Sequence, residues 1–347
     1  MANPTSPTFI VSLRNDPNHD GVPGDSFGSN PTYVLKVVPN SDPNDKFTYS
    51  LNDSVDSAIW AKQLAGATAN GPLLVFIHGF DNLAPKVVTR YIAVQSGMAN
   101  AGGNVTVVCF DWPTRGSNDY KGDQMNAICS GRLLMNSFLP LLKQAGIDFA
   151  NIHILTHSMG GYVVQNAFDS TNSGPQIGHV LMAEADVQEV AFNIALATPP
   201  TSALKCFMSW ASHLTVYWSS DDKALEIAKI FNKFVGPCGA QPPTIAPDAT
   251  RLGAVGLSTL TLQAHPAGLS NVGYVAYYEA TYKNTTPAPT PPPTAQDSHV
   301  WPILGTTAFP APSGDSHFMK DVWEVVTGAT KYTYRNPSTT NNWTFIE

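Results

Sequence analysis

One serine stands where a nucleophile would be held. Ser158 lies in the stretch Asn151-Ile152-His153-Ile154-Leu155-Thr156-His157-Ser158-Met159-Gly160-Gly161-Tyr162-Val163-Val164. An apolar run of strand length is followed by a small, tight segment and then by a helix start. Strand, sharp turn and helix together can expose a serine at the tip of a strained turn, where its oxygen can attack a carbonyl. Gly160 keeps that turn free of a clashing side chain, and Gly161 lets the helix pack close to the sheet. The usual pattern is Gly-x-Ser-x-Gly, and Thr156 stands in place of its first glycine.

A serine is a nucleophile at neutral pH only beside a base, and the base needs an acid that fixes its tautomer and stabilises its charged form. In an open parallel sheet such groups sit beyond the carboxyl ends of the strands. The base is expected after the last strand. Of nine histidines, only His299 and His317 follow residue 283. His317, in Gly314-Asp315-Ser316-His317-Phe318 just before a closing helix, is favoured over His299, beside a proline-rich segment. For the acid, Asp222 ranks ahead of its neighbour Asp221, and both ahead of Asp186. One of the adjacent pair is also expected to cap a helix from Ala224. The developing oxyanion calls for fixed donors. The N–H of Met159, next to the nucleophile, is one, and the N–H of Phe80, in His78-Gly79-Phe80, is the other. Trp112, Tyr162 and Phe80 are expected to flank an acyl pocket.

The elements that must position these groups alternate along the chain. Strands are predicted at 8–13, 32–38, 73–77, 105–110, 152–155, 179–184, 214–218 and 272–282. Helices are predicted at 54–64, 84–100, 125–145 with an interruption near Pro140, 162–168, 224–234 and 321–328. The short apolar runs suit buried central strands. Alternation predicts an α/β class with a mostly parallel sheet and helices on both faces. The chain of 347 residues is read as one domain. The irregular, proline-rich stretches 236–268 and 284–316 are expected insertions that form a partial lid.

Composition narrows the partners. A net charge of -7 leaves no basic field for nucleic acid. No apolar run approaches the length of a membrane span, and no leader is visible at the start. Low Lys content with abundant Asn, Thr and Pro leans towards an extracellular or envelope protein. The four cysteines, Cys109, Cys129, Cys206 and Cys238, lack metal-ligand spacing. Cys109 reads as a buried apolar residue, and Cys206 and Cys238 are candidates for a pair. Asp16-Pro17-Asn18-His19-Asp20-Gly21 resembles half of a calcium loop. Phe27 stands where that loop needs its bidentate acid, so a polar turn is the better reading.

The chain resembles the α/β-hydrolase superfamily. More narrowly, it is similar to a largely uncharacterised bacterial branch of esterase- or lipase-like hydrolases. The matching stretches are Phe76-Ile77-His78-Gly79-Phe80-Asp81-Asn82, Phe110-Asp111-Trp112-Pro113, Thr156-His157-Ser158-Met159-Gly160, Ala185-Asp186-Val187 and Val216-Tyr217-Trp218-Ser219-Ser220-Asp221-Asp222-Lys223-Ala224-Leu225. They cover about residues 70–230, and His317 extends them. The order Ser…Asp…His is the one this fold uses. The resemblance implies hydrolysis of a small or lipid-like carboxylic ester through Ser158, His317 and Asp222, with no metal or cofactor. Acyl transfer or amide cleavage on the same triad, or a non-catalytic binding protein, are the alternatives.

Overall fold

The computed structural model describes residues 7–116, 119–169, 176–192, 203–220, 222, 224–225, 250–264, 268–273, 299, 302–303, 316–339 and 342–345. The amino-terminal strands are β1 (Phe9–Arg14), β2 (Phe27–Val34), β3 (Val38–Pro39), β4 (Phe47–Thr48) and β5 (Ser54–Val55). Then α1 (Ser57–Ala67), β6 (Leu73–Ile77), α2 (Ala84–Ala101), β7 (Thr106–Asp111), α3 (Tyr120–Leu133) and α4 (Leu139–Gln144) alternate. They are followed by β8 (Ile152–His157), α5 (Gly160–Asp169), β9 (Ile177–Ala183), α6 (Ala203–Trp210) and β10 (Ala211–Trp218). The short helices α7 (Leu252–Val255) and α8 (Thr259–Ala264) precede β11 (Leu269–Gly273), α9 (Ser316–Val326), β12 (Arg335–Thr339) and β13 (Asn342–Phe345).

Among the described residues, 11 strands form one sheet in the order β12-β13-β11-β10-β9-β8-β6-β7-β1-β2-β5. From β13 across to β1 every neighbouring pair is parallel, and antiparallel partners close the edges. The central strands are buried along their whole length, as expected for apolar runs covered on both faces. One face packs against α1, α3, α4, α5 and α6 through residues such as Trp60, Phe138, Val163 and Phe207. The other face packs against α2 and α9 through Val87, Tyr91, Phe318 and Val322. The sheet is therefore the doubly covered, mostly parallel α/β sheet that the alternation predicts.

Three features depart from the sequence reading. The helix expected at 125–145 runs from Tyr120 to Gln144, and it widens into a π turn over Leu134–Phe138. Pro140 follows after Leu139, in the first turn of α4. It lacks an N–H and cannot tolerate the regular carbonyl four residues back, so the helix adjusts ahead of it. The strand expected at 272–282 is described only as Leu269–Gly273, and it is not the last: β13 pairs parallel to it, with Asn271 opposite Asn342. Short, polar strands of this kind carry no apolar run to betray them. Finally, the described part of the first insertion is packed, with Leu252, Leu257 and Leu262 in the core and the Leu252 N–H 2.9 Å from the Val187 carbonyl. Of the second insertion only residues 299, 302–303 and 316 are described; the rest of both insertions, Cys238, and most of the helix expected at 224–234 lie outside the described residues. Cys109 is fully buried. The Asp16 carboxylate accepts the N–H groups of Asp20 and Gly21 at 3.2 and 3.0 Å, and Asp20 accepts the Val22 N–H at 2.9 Å in an Asx turn.

Candidate active site

Ser158 follows β8 with φ of 53°, a left-handed conformation that a non-glycine residue keeps only when its surroundings enforce it. Its N–H donates to the Ala183 carbonyl at 3.0 Å, and its own carbonyl accepts from Gly161 and Asp186, both at 3.0 Å. Two glycines make room for it. A Cβ on Gly160 would lie 2.4 Å from the Ile77 carbonyl oxygen, and one on Gly79 would lie 2.8 Å from the Ser158 Cβ. Thr156 is no obstacle, because it is still strand, paired with Ile77 and Met182.

The loop after β6 is fixed from below by a buried polar network. Arg14 Nε donates to both Asp111 oxygens at 2.9 and 2.8 Å, and Tyr49 OH also donates to Asp111. His78 Nε2 lies 2.9 Å from Asp111. Burial works against a charged Asp111, but Arg14 and His78 outweigh it and hold the pKa at about 2. Burial lowers the pKa of His78, against the pull of Asp111. Asn82 Nδ2 ties down the Gly79 and Phe80 carbonyls at 2.8 and 2.7 Å. His78 and Asp111, at strand ends, therefore build the base of the loop that carries Phe80. Among the described residues, the N–H groups of Phe80 and Met159 meet no acceptor.

Trp112 is placed differently from the expectation. It has no exposed surface; its ring stacks on His78 and its indole N–H donates to the His78 carbonyl at 2.8 Å. It braces the loop from within the core. Phe80 is half-buried and packs edge-on against Tyr120. Tyr162, also half-buried, lies in the first turn of α5 with its N–H 3.0 Å from the Met159 carbonyl.

The histidine beside Asp222 is His299, with Nδ1 2.7 Å from Oδ2. The other Asp222 oxygen accepts the Leu225 N–H at 3.1 Å, so one carboxylate serves both as cap and as histidine partner. Asp221 lies outside the described residues. The Asp186 carboxylate is engaged by Tyr120 OH at 2.5 Å and by Arg251 Nε at 3.1 Å, not by a histidine. His317 is elsewhere: on the first turn of α9, its ring lies edge-on to Tyr334 with centroids 4.1 Å apart. That helix is anchored four residues further on, where Asp321 takes Arg335 at 2.6 and 2.8 Å and Tyr217 OH at 2.6 Å. The structure thus brings Asp222 to His299 and leaves His317 on the covering helix.

Two further residues join this cluster, and the sequence reading assigned neither a role. Glu184, fully buried just past β9, also has a left-handed φ of 49°. Its Oε2 lies 3.7 Å from His299 Nδ1 and 3.5 Å from His157 Nε2. His157 Nε2 in turn lies 2.8 Å from the His299 carbonyl oxygen. Burial pushes the His157 pKa well below its ordinary value, and His299 and Arg90 add to the effect. His157, Glu184 and His299 each offer a ligand atom within 4.8 Å of the others, and are the one such group among the described residues. The signal in the sequence was their position at the ends of β8 and β9.

No described helix is long and apolar enough to cross a membrane. Residues 57–281 match the model of the family "Alpha/beta hydrolase of unknown function (DUF900)". Among solved structures, the chain is similar to an esterase of Pyrobaculum calidifontis, at 14% identity over 47% of this chain and 63% of that one, with a TM-score of 0.28. It is similar to a Trichoderma reesei cutinase at 14% identity over 45% and 72% of the two chains, with a TM-score of 0.27. For lipase B of Aspergillus fumigatus the figures are 13%, 95% and 77%, with a TM-score of 0.35. The chain spans less than two thirds of the length of the first of these. No curated protein matches the sequence.

Proposed function

Since the chain belongs to the alpha/beta hydrolases of unknown function (DUF900), we propose that it is a serine hydrolase of carboxylic esters, with Ser158 as nucleophile, His299 as base and Asp222 as acid. The observation that carries this reading is the 2.7 Å contact of His299 Nδ1 with Asp222, taken together with a serine held in a left-handed turn. An acid on Nδ1 keeps that proton in place and leaves Nε2 free to take the serine proton.

In the proposed reaction His299 Nε2 accepts the Ser158 proton while the serine oxygen bonds to the ester carbonyl carbon. The carbonyl oxygen becomes an oxyanion held by the N–H groups of Phe80 and Met159. The imidazolium then protonates the departing alcohol as its bond to carbon breaks. A water, deprotonated by His299, opens the acyl-serine by the same route and restores the free enzyme. Phe80 and Tyr162 are the proposed contacts of a hydrophobic acyl group.

The test is hydrolysis of p-nitrophenyl esters of rising acyl length by wild type, Ser158→Ala, His299→Ala and His317→Ala. Loss of turnover by roughly 10⁴-fold or more in the first two variants, with activity retained in the third, is the expected result. Undiminished turnover in Ser158→Ala overturns the proposal. Loss in His317→Ala without loss in His299→Ala returns the role of base to His317.

A further inference from the structure

The nucleophile and both nearby acids sit at the ends of adjacent parallel strands, β8, β9 and β10, and the sheet itself sets their positions. His299 does not sit at a strand end, so its geometry depends on what it touches. Three contacts are visible. Nδ1 meets Asp222 at 2.7 Å, the same nitrogen faces Glu184 at 3.7 Å, and the backbone carbonyl lies 2.8 Å from His157 Nε2. A carbonyl oxygen only accepts, so the hydrogen of that last bond is on His157, which fixes its tautomer. The rings of His157 and His299 also pack with centroids 4.9 Å apart.

Resting on the assignment of His299 as base, we propose that Glu184 and His157 are positioning residues for it: His157 clamps its backbone, and Glu184 is a second carboxylate behind the Nδ1 proton. Glu184 is an improbable packing residue. It is fully buried and left-handed, a conformation sparsely populated by non-glycine residues, and a carboxylate in such a place is costly unless it faces compensating groups. Its fixing is tight: its N–H donates to the Tyr217 carbonyl at 3.1 Å, and a Cβ on the neighbouring Gly253 would fall 2.3 Å from its carbonyl carbon. Among the groups it faces are the two imidazoles. When His299 takes the serine proton and becomes an imidazolium, Glu184 places a negative charge beside it in a buried site, where such an interaction is weakly screened. His157 stays neutral there, because burial holds its pKa down, so it contributes a donor and no competing charge. The same three ligand atoms could gather a divalent cation, but both nitrogens already face oxygen acceptors, Asp222 and the His299 carbonyl.

The experiment uses the full chain and reads kcat, KM and the rate of Ser158 labelling by a serine-reactive phosphonate. His157→Phe keeps a ring and loses the donor, and His157→Gln keeps an amide N–H. His157→Phe is expected to lower kcat by about 10- to 100-fold with KM little changed, the range for outer-shell orienting groups, and His157→Gln to recover most of the loss. Glu184→Gln is compared in the wild-type and Asp222→Asn backgrounds. Its effect should be roughly tenfold larger in the second, where Glu184 is the remaining carboxylate, since partners in one network are non-additive. The downfield Nδ1 proton resonance of His299 should move in both His157→Phe and Glu184→Gln. Equal effects of Glu184→Gln in both backgrounds, or a His157→Gln no better than His157→Phe, overturn the proposal. Thermal melting separates misfolded variants, and if His157→Phe does not fold, the Glu184 cycle decides. Wild-type turnover in His299→Ala removes the underlying assignment instead, which keeps the two failures apart.

Discussion

Histidines gather at both ends of the strands β8, β9 and β10, and the two ends differ. At the carboxyl end, His157 and His299 face Glu184 and Asp222. At the amino end, His153, His179 and His213 form a ladder across the same three strands, with ring centroids 5.3 Å apart at both steps. Their contacts include one another and Ser270: the His179 backbone N–H donates to His153 Nδ1 at 3.0 Å, and His213 Nε2 lies 2.9 Å from Ser270 Oγ. Burial and then the neighbouring imidazole lower the pKa of His153 to about 3 and of His179 to about 4. The same side chain is thus a neutral packing group at one end of these strands and a candidate base at the other. What separates them is a carboxylate at hydrogen-bond distance from Nδ1.

That contrast is broken most directly by exchange of roles. His299→Ala is expected to lose turnover by roughly 10⁴-fold or more, whereas His153→Asn is expected to leave kcat/KM on a p-nitrophenyl ester within about threefold, since it sits at the opposite end of the strands. A comparable loss in both variants would mean that activity tracks the stability of the sheet and not the acid beside the histidine.

The carboxyl-end network has a structural counterpart at β7. Asp111→Asn leaves the buried guanidinium of Arg14 without its anion, and breaking a buried pair in this way costs about 3–5 kcal/mol. Urea unfolding measures it. A change below about 1 kcal/mol would show that the pair is dispensable.

The two ends also respond to acid in different windows. The folded pKa of His153, about 3, lies below its unfolded value of roughly 6.5. As pH falls below about 6.5 the unfolded chain therefore binds this proton first, and stability declines until the folded pKa is reached. Near pH 4 this amounts to on the order of 3 kcal/mol. Asp111, held at about 2 against a model-compound value of 3.8, stabilises the fold above about pH 4 and loses that contribution only as pH falls further, towards 2. His153→Asn keeps an acceptor for the His179 N–H and should flatten the fall in melting temperature between pH 7 and 4. An unchanged slope would remove the ladder as its origin. The smallest effect is expected from His317→Ala, within about threefold of wild-type turnover, because its ring packs against Tyr334.

How much of this was legible varied with the range of the interactions. β6 was readable to the residue, since five consecutive apolar side chains suit a strand covered on both faces. β12 and β13 were not, because the pairing of β13 with β11, and of β12 with β13, comes from the sheet edge and not from their own pattern. Trp112 was read as a pocket wall because it follows a strand end. It is buried against His78, which follows a different strand, β6.

The sequence by itself determined the turn at Ser158, the glycines that admit it and the placement of Asp222 past a buried strand. All of these are set by neighbours within a few residues, so period and residue size suffice to find them. Only the tertiary structure decided which histidine meets that acid, and that Glu184 and His157 stand beside it. Those contacts join residues 77 and 142 positions apart in the chain. No local pattern encodes them. They follow from the packing of α9, which carries His317 to Tyr334, and from the register of β8, β9 and β10, which lines up three strand ends around His299.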